Sequence, residues 1–354
     1  MFNKKILACV IAVSLGTSCT AFADKKTHAK SFHFTPIAAS AYDATWNPLA
    51  PWLLPAGYSQ HVIADESDLN IYDGGRDDWH DMNTVNETGK HAGRYLYRTH
   101  EVRIGVEYPE GGAVSVVDLK TGLAKLVAQD PGWTALDGIE WTPWGTVLFA
   151  EEVTDGRLFE FVPDKNDMTT GTVYDRPAVG RMAHEGIQVA KNGTVYVIDE
   201  FRGQSTGYGG GIYKFIPDNY GDLSSGKLFV LKVTGEDGVG QGEWLGPIDA
   251  ANARIAGTDA GGTSYQRPED TQIIQHTLYV AVTEGLNYAG RVLAINLETL
   301  QVSNYVKPGI NAPIEDKAAK ITGFAQVDNL AVTADGRLVM IEDNVPSDIW
   351  IVNP

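Results

Sequence analysis

The chain has 354 residues, 43% of them hydrophobic and 21% charged, with a formal net charge of −17 at pH 7. That acidic balance argues against nucleic acid or an anionic membrane surface as a partner. No apolar stretch is long enough to span a bilayer.

At the N-terminus, Lys4 and Lys5 precede a short apolar run from Ile6 to Leu15, and Ala21-Phe22-Ala23 forms a small-x-small cleavage site. This pattern reads as a bacterial-style secretory signal over residues 1–23. It predicts export to the periplasm or the extracellular space, with cleavage after Ala23. A lipoprotein signal anchored at Cys19 is the competing reading, but Gly16 stands where such signals carry Leu. Cleavage after Ala23 removes Cys9 and Cys19, the two cysteines of the chain. The mature protein then has no disulfide, no sulfur ligand and no sulfur nucleophile.

Residues 24–55 carry few strand signals and read as a leader packed on the fold. Residues 56–354 alternate short β-rich runs with Gly, Asn and Asp punctuation, which predicts a single all-β domain. Four stretches share a sixteen-residue pattern: Asp137 to Glu152, Glu185 to Glu200, Glu269 to Glu284 and Asp328 to Asp343. Each begins and ends with an acid and has a turn signal at its middle: Trp144-Gly145, Asn192-Gly193, Gln275-His276 and Asp335-Gly336. Such signals predict tight two-residue hairpin turns. A fifth, weaker copy runs from Asp81 to Glu101. Outer strand pairs follow, as in AVSVVDLKTGLAKLV and RVLAINLETLQVSNYV. Four-strand units of this spacing predict a β-propeller of five or six four-stranded blades around a central metal-binding channel. A Gly-rich stretch around 233–266 reads as an insertion, with a short helix expected from Pro247 to Ile255.

A hairpin that turns at its midpoint brings its two ends together. The repeat-start acids Asp81, Asp137, Glu185, Glu269 and Asp328 therefore converge on the axis. So do the repeat-end acids, among them Glu101, Glu151, Glu152, Glu200, Glu284, Glu342 and Asp343. Carboxylates brought together need a cation to offset their repulsion. Hard oxygen donors without sulfur suit Ca²⁺, Mg²⁺ or Mn²⁺. Singly, each acid could equally cap a strand end. Arg267, in the run Arg267-Pro268-Glu269-Asp270, offers a planar fork for an anionic group or for a neighbouring carboxylate. Arg202 is a second candidate. His80, His100 and His184 each precede an acid and read as ligands, proton shuttles or strand-orienting residues.

Seven blocks carry a family resemblance: THE (Thr99 to Glu101), TPWGTVLFAEE (Thr142 to Glu152), HEG (His184 to Gly186), GGIYKFIPD (Gly210 to Asp218), GEWLGP (Gly242 to Pro247), RPED (Arg267 to Asp270) and DNLAVTADGRLVMIED (Asp328 to Asp343). In these blocks, and in their order, the chain resembles the PhoX-type alkaline phosphatase family. The resemblance implies a secreted, monomeric β-propeller phosphatase acting on a small anionic substrate, a phosphate ester. It implies an axial cofactor of calcium ions with a pair of irons. By the resemblance Arg267 contacts phosphate and Glu101, Glu152, Glu185, Glu269 and Asp328 are metal ligands.

Two departures stand out. The family's long form has a cysteine shortly before T-P-W-G-T, and here that stretch reads Leu136-Asp137-Gly138-Ile139. Asp137, at or near the cysteine's place, is assigned both to metal binding and to catalysis. The family's N-H-E is here Thr99-His100-Glu101. Without a thiolate, a site of several Ca²⁺ ions is favoured over iron. Two alternatives remain open on the residues: a calcium-dependent lactonase of gluconolactonase type, in which an acid acts as base, and a non-catalytic calcium-binding propeller.

Overall fold

The computed structural model describes residues 33–352, apart from 46, 48, 49, 73, 77, 203–209 and 285–289. The predicted signal, 1–23, and the first part of the leader lie outside the described residues. The expected all-β class holds. The strands form antiparallel up-and-down meanders.

The first meander is β1 (His80–Val85), β2 (Tyr95–His100), β3 (Ala113–Asp118) and β4 (Leu123–Gln129). The second is β5 (Leu136–Trp141), β6 (Val147–Glu151), β7 (Leu158–Asp164) and β8 (Asp167–Asp175). The third runs through β9 (His184–Val189), β10 (Val195–Asp199), β11 (Ile212–Asn219) and β12 (Asp222–Thr234), then adds β13 (Gly240–Ile248). The fourth is β14 (Pro268–Ile274), β15 (Thr277–Val282), β16 (Arg291–Asn296) and β17 (Gln301–Val306). The fifth is shorter: β18 (Val327–Val332), β19 (Leu338–Glu342) and β20 (Ile349–Ile351). β13 pairs with β17 at Gly240–Val302 and Gln241–Gln301, joining the third and fourth meanders into one nine-stranded sheet. The stretch read as an insertion thus supplies a bridging strand. Its helix α1 covers Ala253–Asp259, a few residues later than expected.

Val-, Ile- and aromatic-rich strands suit a pleated surface buried on both faces. Apolar layers fill the spaces between successive meanders. Tyr97, Val116, Ile139, Trp141 and Phe161 lie between the first two. Leu148, Ile187, Tyr213 and Phe215 lie between the second and third. Ile198, Leu231, Val280 and Leu293 join the third to the fourth, and Val292, Phe324, Val327 and Leu338 the fourth to the fifth. Burying each such side chain contributes about 1.5–3 kcal/mol. The first strands of consecutive meanders, β1, β5, β9, β14 and β18, pack side by side.

The leader packs against the end of the chain. Ser40 N–H donates to Thr322 Oγ1 (2.7 Å), Ser40 Oγ donates to Asp348, and Tyr42 Oη donates to the Ile321 carbonyl (2.9 Å).

The hairpin turns differ from expectation. In β5–β6, Thr142 N–H donates to the Thr146 carbonyl (2.9 Å) and Gly145 N–H to the Thr142 carbonyl (3.0 Å), with Gly145 at φ 90°. Ala190 to Thr194 and Thr333 to Arg337 repeat this arrangement. These are three-residue loops closed by a left-handed glycine, not two-residue turns. Of the four sixteen-residue repeats, only the one at β14–β15 has the two-residue turn, Gln275-His276, because Ile274 pairs directly with Thr277.

Candidate metal centre

Every first strand carries the same defect at the same place. The register slips by one residue between His80 and Asn83, Leu136 and Ile139, His184 and Ile187, Pro268 and Thr271, and Val327 and Leu330. The bulged pairs are Asp81-Met82, Asp137-Gly138, Glu185-Gly186, Glu269-Asp270 and Asp328-Asn329. Each begins with the repeat-start acid. A β-bulge re-aims side chains out of the regular alternation. Here it does so five times, and Asp81, the start of the weak repeat, belongs with the other four.

The backbone just before each acid is equally specific. Trp79, Ala135, Arg267 and Gln326 have φ of 32°, 46°, 56° and 46°, a left-handed region that disfavours side chains. Their carbonyls accept N–H groups from the far ends of the hairpins: Glu101, Glu152, Thr283 and Asp343, at 2.8, 2.8, 3.0 and 2.9 Å. Glu200 does the same with Ala183 at 2.8 Å. Thr283, not Glu284, therefore occupies the repeat-end position of the fourth meander. The shorter Gln275-His276 turn removes one residue from that hairpin. Glu284 instead lies beside Arg291, 3.2 Å from its Nε.

Two glycines make room for this convergence. A Cβ on Gly138 would overlap the Glu185 carbonyl oxygen, and one on Gly186 would lie 2.6 Å from the Thr271 backbone nitrogen. Adjacent first strands approach too closely there for any side chain.

The paired acids at the hairpin ends divide their work. Glu151 accepts from Thr134 N–H (3.1 Å) and from Arg157 Nε (2.7 Å). Asp199 accepts from Ala183 N–H (3.0 Å) and Arg254 Nε (2.7 Å). Glu342 accepts from Ala325 N–H (2.8 Å) and Trp350 Nε1 (2.7 Å). These three tie the hairpin ends and are not part of the acidic centre. Their neighbours Glu152 and Glu200 are. Asp270 is also structural: it accepts from the N–H groups of Thr271 (2.6 Å) and Leu330 (2.8 Å), joining β14 to β18.

Three centre residues, Glu185, Glu269 and Asp328, can each place a carboxylate oxygen within 4.8 Å of the others. Glu185 and Glu269 are 4% and 1% exposed. Among the described residues, Asp137 Oδ1 is buried without a hydrogen-bond partner, and Glu269 Oε1 meets only an ion-pair contact with Arg267.

Burial and mutual repulsion raise the carboxylates of the cluster. Burial, then the charges of Asp81, Glu101 and Glu152, push Asp137 far above the usual carboxylate range. Burial and neighbouring acids do the same to Glu185 and Glu269. Asp81 is raised to about 8 by burial and by Asp328, Glu101 and Asp343. Asp328 is raised to about 7, burial outweighing the attraction of Arg267. Burial raises Glu152 to about 9, helped by a hydrogen bond to Glu200. Burial also raises Glu101 against the pull of Arg103. The donor set is all oxygen, mutually repelling and partly orphaned, which fits hard cations.

Two arginines border the cluster. Arg267 Nε donates to Glu200 and lies 2.9 Å from Glu269 Oε1. Its side chain is 21% exposed. Burial alone would lower its pKa, but Glu269 and Glu200 raise it, so the cation is secure. Arg103 Nη2 contacts Glu101 Oε1 (3.1 Å) and Glu152 Oε2 (2.8 Å). Sequence reasoning missed Arg103; its place two residues after a repeat-end acid was the available signal. Arg202 is exposed beside Glu200.

The three histidines are buried. Burial lowers His80 to about 3 and His184 to about 4, and it lowers His100 against the pull of Asp78. At those values His80 and His184 do not titrate near neutral pH.

A family model described as alkaline phosphatase PhoX matches residues 156–351. This chain belongs to the PhoX alkaline phosphatase family. The PhoX match spans the third, fourth and fifth meanders, with Glu185, Arg267, Glu269 and Asp328. Among solved structures, Pseudomonas fluorescens PhoX in complex with vanadate, a transition-state analogue, superposes at a TM-score of 0.52 with 17% identity, covering 75% of this chain and 74% of that one. The likeness establishes a shared fold. A 6-phosphogluconolactonase-like protein from Bacteroides fragilis gives a TM-score of 0.41 with 12% identity, covering 75% of this chain and 79% of that one. No curated protein matches the chain. PhoX enzymes are metal-dependent phosphatases and are typically exported.

Proposed function

We propose that this PhoX-family chain is an exported, monomeric phosphatase that hydrolyses small phosphate esters at an axial cluster of calcium ions. The five meanders would be five blades of a propeller, and the five bulged acids its inner ring. The observation that carries the reading is that ring: five converging acids with an arginine, Arg267, held at its rim.

Asp81, Asp137, Glu185, Glu269, Asp328, Glu101 and Glu152 would hold the ions. Bound cations supply charge neutralisation of the phosphoryl oxygens and activation of water. The residues set the rest of the chemistry. The bulges fix the direction of each carboxylate. Gly138 and Gly186 allow the first strands to approach closely enough for one site. Arg267 is directed by its left-handed backbone and by Glu200. Among the described residues both of its carboxylate contacts use Nε, and its Nη donors would grip an equatorial phosphate oxygen. Burial, and then the neighbouring Glu200, raise Glu152 to about 9, so in the metal-free site it would hold a proton that a bound cation would displace. The site offers no sulfur, which favours calcium over iron.

The test is release of phosphate from an aryl phosphate by the purified protein, with and without vanadate. Turnover that vanadate inhibits supports the reading. Absence of phosphate release with calcium, magnesium, manganese or iron would sink it.

A further inference from the structure

The phosphatase reading leaves a second cluster unused, in the first meander. Asp78, His80 and His100 are 3%, 9% and 0% exposed. His80 and His100 are cross-strand partners in β1 and β2. They immediately precede Asp81 and Glu101 in the chain, and their cluster with Asp78 includes neither acid. Their rings lie 4.5 Å apart, tilted by 52°.

The carboxylate of Asp78 sits against both rings. Its Oδ1 is 3.6 Å from His80 Nδ1 and its Oδ2 is 3.5 Å from His100 Nδ1. Charge-assisted hydrogen bonds are shorter, about 2.7–2.9 Å. A tetrahedral ion bound at about 2.0–2.2 Å holds its ligand atoms about 3.3–3.6 Å apart. One donor atom from each residue can be chosen so that all three lie within 4.8 Å of one another. Among the described residues, Asp78 Oδ2, the oxygen nearest His100 Nδ1, is buried without a hydrogen-bond partner, as is His80 Nε2, the nitrogen opposite the one nearest Asp78. Such orphaned polar atoms are unfavourable unless a ligand satisfies them.

Two local features hold the arrangement. Trp79, between Asp78 and His80, adopts φ 32°, a strained conformation that sets the chain direction between the two ligands. Ser115 Oγ lies 2.8 Å from His100 Nε2, and the Asp78 backbone carbonyl lies 3.0 Å from His100 Nδ1, a hydrogen bond that an ion at Nδ1 would replace. A hydrogen bond on the far nitrogen is the usual outer support of a metal-ligating imidazole, because it fixes which nitrogen faces the ion. In the second, third and fifth meanders the position before the axial acid is a structural acid, Glu151, Asp199 or Glu342. The first meander replaces it with His100.

We propose that Asp78, His80 and His100 bind one divalent transition-metal ion of zinc type, distinct from the axial carboxylate site. Two imidazoles and one carboxylate select such an ion over calcium, as the all-oxygen axis selects calcium over zinc. The ion clamps Asp78 to both strands directly behind Asp81 and Glu101. A small cavity bordered by His80, Arg98, Met82 and Ile63 adjoins it. Arg98 Nη2 is buried there without a partner among the described residues, and a water or small anion completing the coordination would satisfy it. The proposal stands whether or not the axis is a phosphatase site.

The test strips the full protein of metal, saturates it with calcium, and titrates zinc by calorimetry. One equivalent of zinc is expected. Copper bound in its place should show electron-spin-resonance nitrogen couplings from two imidazoles, which the oxygen-only axis cannot give. His80→Ala and His100→Ala should each weaken zinc binding at least 100-fold. Ser115→Ala, which keeps every ligand, should weaken it roughly 10–100-fold. Glu185→Gln should leave it unchanged. Wild-type protein that takes up no zinc, shows no nitrogen coupling, or binds zinc equally after Ser115→Ala and His80→Ala overturns the proposal. The copper spectrum and Ser115→Ala decide the matter even if the histidine variants do not fold.

Discussion

Removing cations from the axial cluster should make the protein progressively less stable as pH rises. A carboxyl whose folded pKa lies above its unfolded value binds its proton more tightly in the folded chain. Its contribution is intact below about pH 4 and is lost as pH rises through the folded value. Asp328, Asp81 and Glu152 are raised to about 7, 8 and 9. Between pH 5 and 7 the folded, metal-free protein therefore retains protons that the unfolded chain has released. One retained proton gives a slope of about 1.4 kcal/mol per pH unit, and three give about 4. These groups interact strongly, so the single-proton figure is the floor. Over two pH units even the floor removes roughly 3 kcal/mol from a domain stability of about 5–15 kcal/mol. Bound cations replace those protons and should flatten the curve. Calorimetric melting from pH 5.5 to 8.5, in chelator and in calcium, measures the difference. The expected result is a calcium stabilisation that grows with pH. A chelated protein whose Tm is flat or rises over that range would refute the electrostatic account.

Other consequences follow from single residues. Arg267→Ala should lower kcat/KM on an aryl phosphate by about 10²–10³-fold, and Arg267→Lys should recover little because it lacks the planar fork; a variant with wild-type kinetics would remove Arg267 from the site. Glu269→Gln should weaken calcium binding yet raise the alkaline Tm of the chelated protein, since it relieves repulsion with Asp328; paired titration and melting curves check both directions. Gly138→Ala should destabilise by roughly 1–3 kcal/mol or more, through overlap with the Glu185 carbonyl, and lower calcium affinity in the same variant. Arg254→Ala should cost about 3–5 kcal/mol in denaturant melts, because it strands the buried Asp199 carboxylate.

Much of this was legible in the sequence, for identifiable reasons. Acids at fixed distances from a turn reveal which ends of the hairpins meet, so the axial acids could be read without coordinates. Turn length was harder. The Asn-Gly and Asp-Gly signals gave the left-handed glycine but not the extra residue around it. The two-residue Gln275-His276 turn shifted Glu284 out of register and put Thr283 in its place. The bulges were invisible, because a bulge is defined by the partner strand. They nonetheless set the direction of each repeat-start acid, Asp81, Asp137, Glu185, Glu269 and Asp328. The doublets Glu151-Glu152 and Asp199-Glu200 were a visible signal. Which member was structural depended on contacts with Arg157 and Arg254 far from any motif. Asp78 was missed as a partner of His80 and His100, since it precedes the repeat, and only folding brings its carboxylate against both rings.

The central claim is that the acidic ring works as a calcium site for phosphoryl chemistry. The most direct measurement is phosphate release from an aryl phosphate by protein stripped with chelator and refilled with calcium alone. The account predicts that stripping abolishes turnover and that calcium restores it without iron. A stripped protein that stays inactive in calcium, or in any other metal, would contradict it.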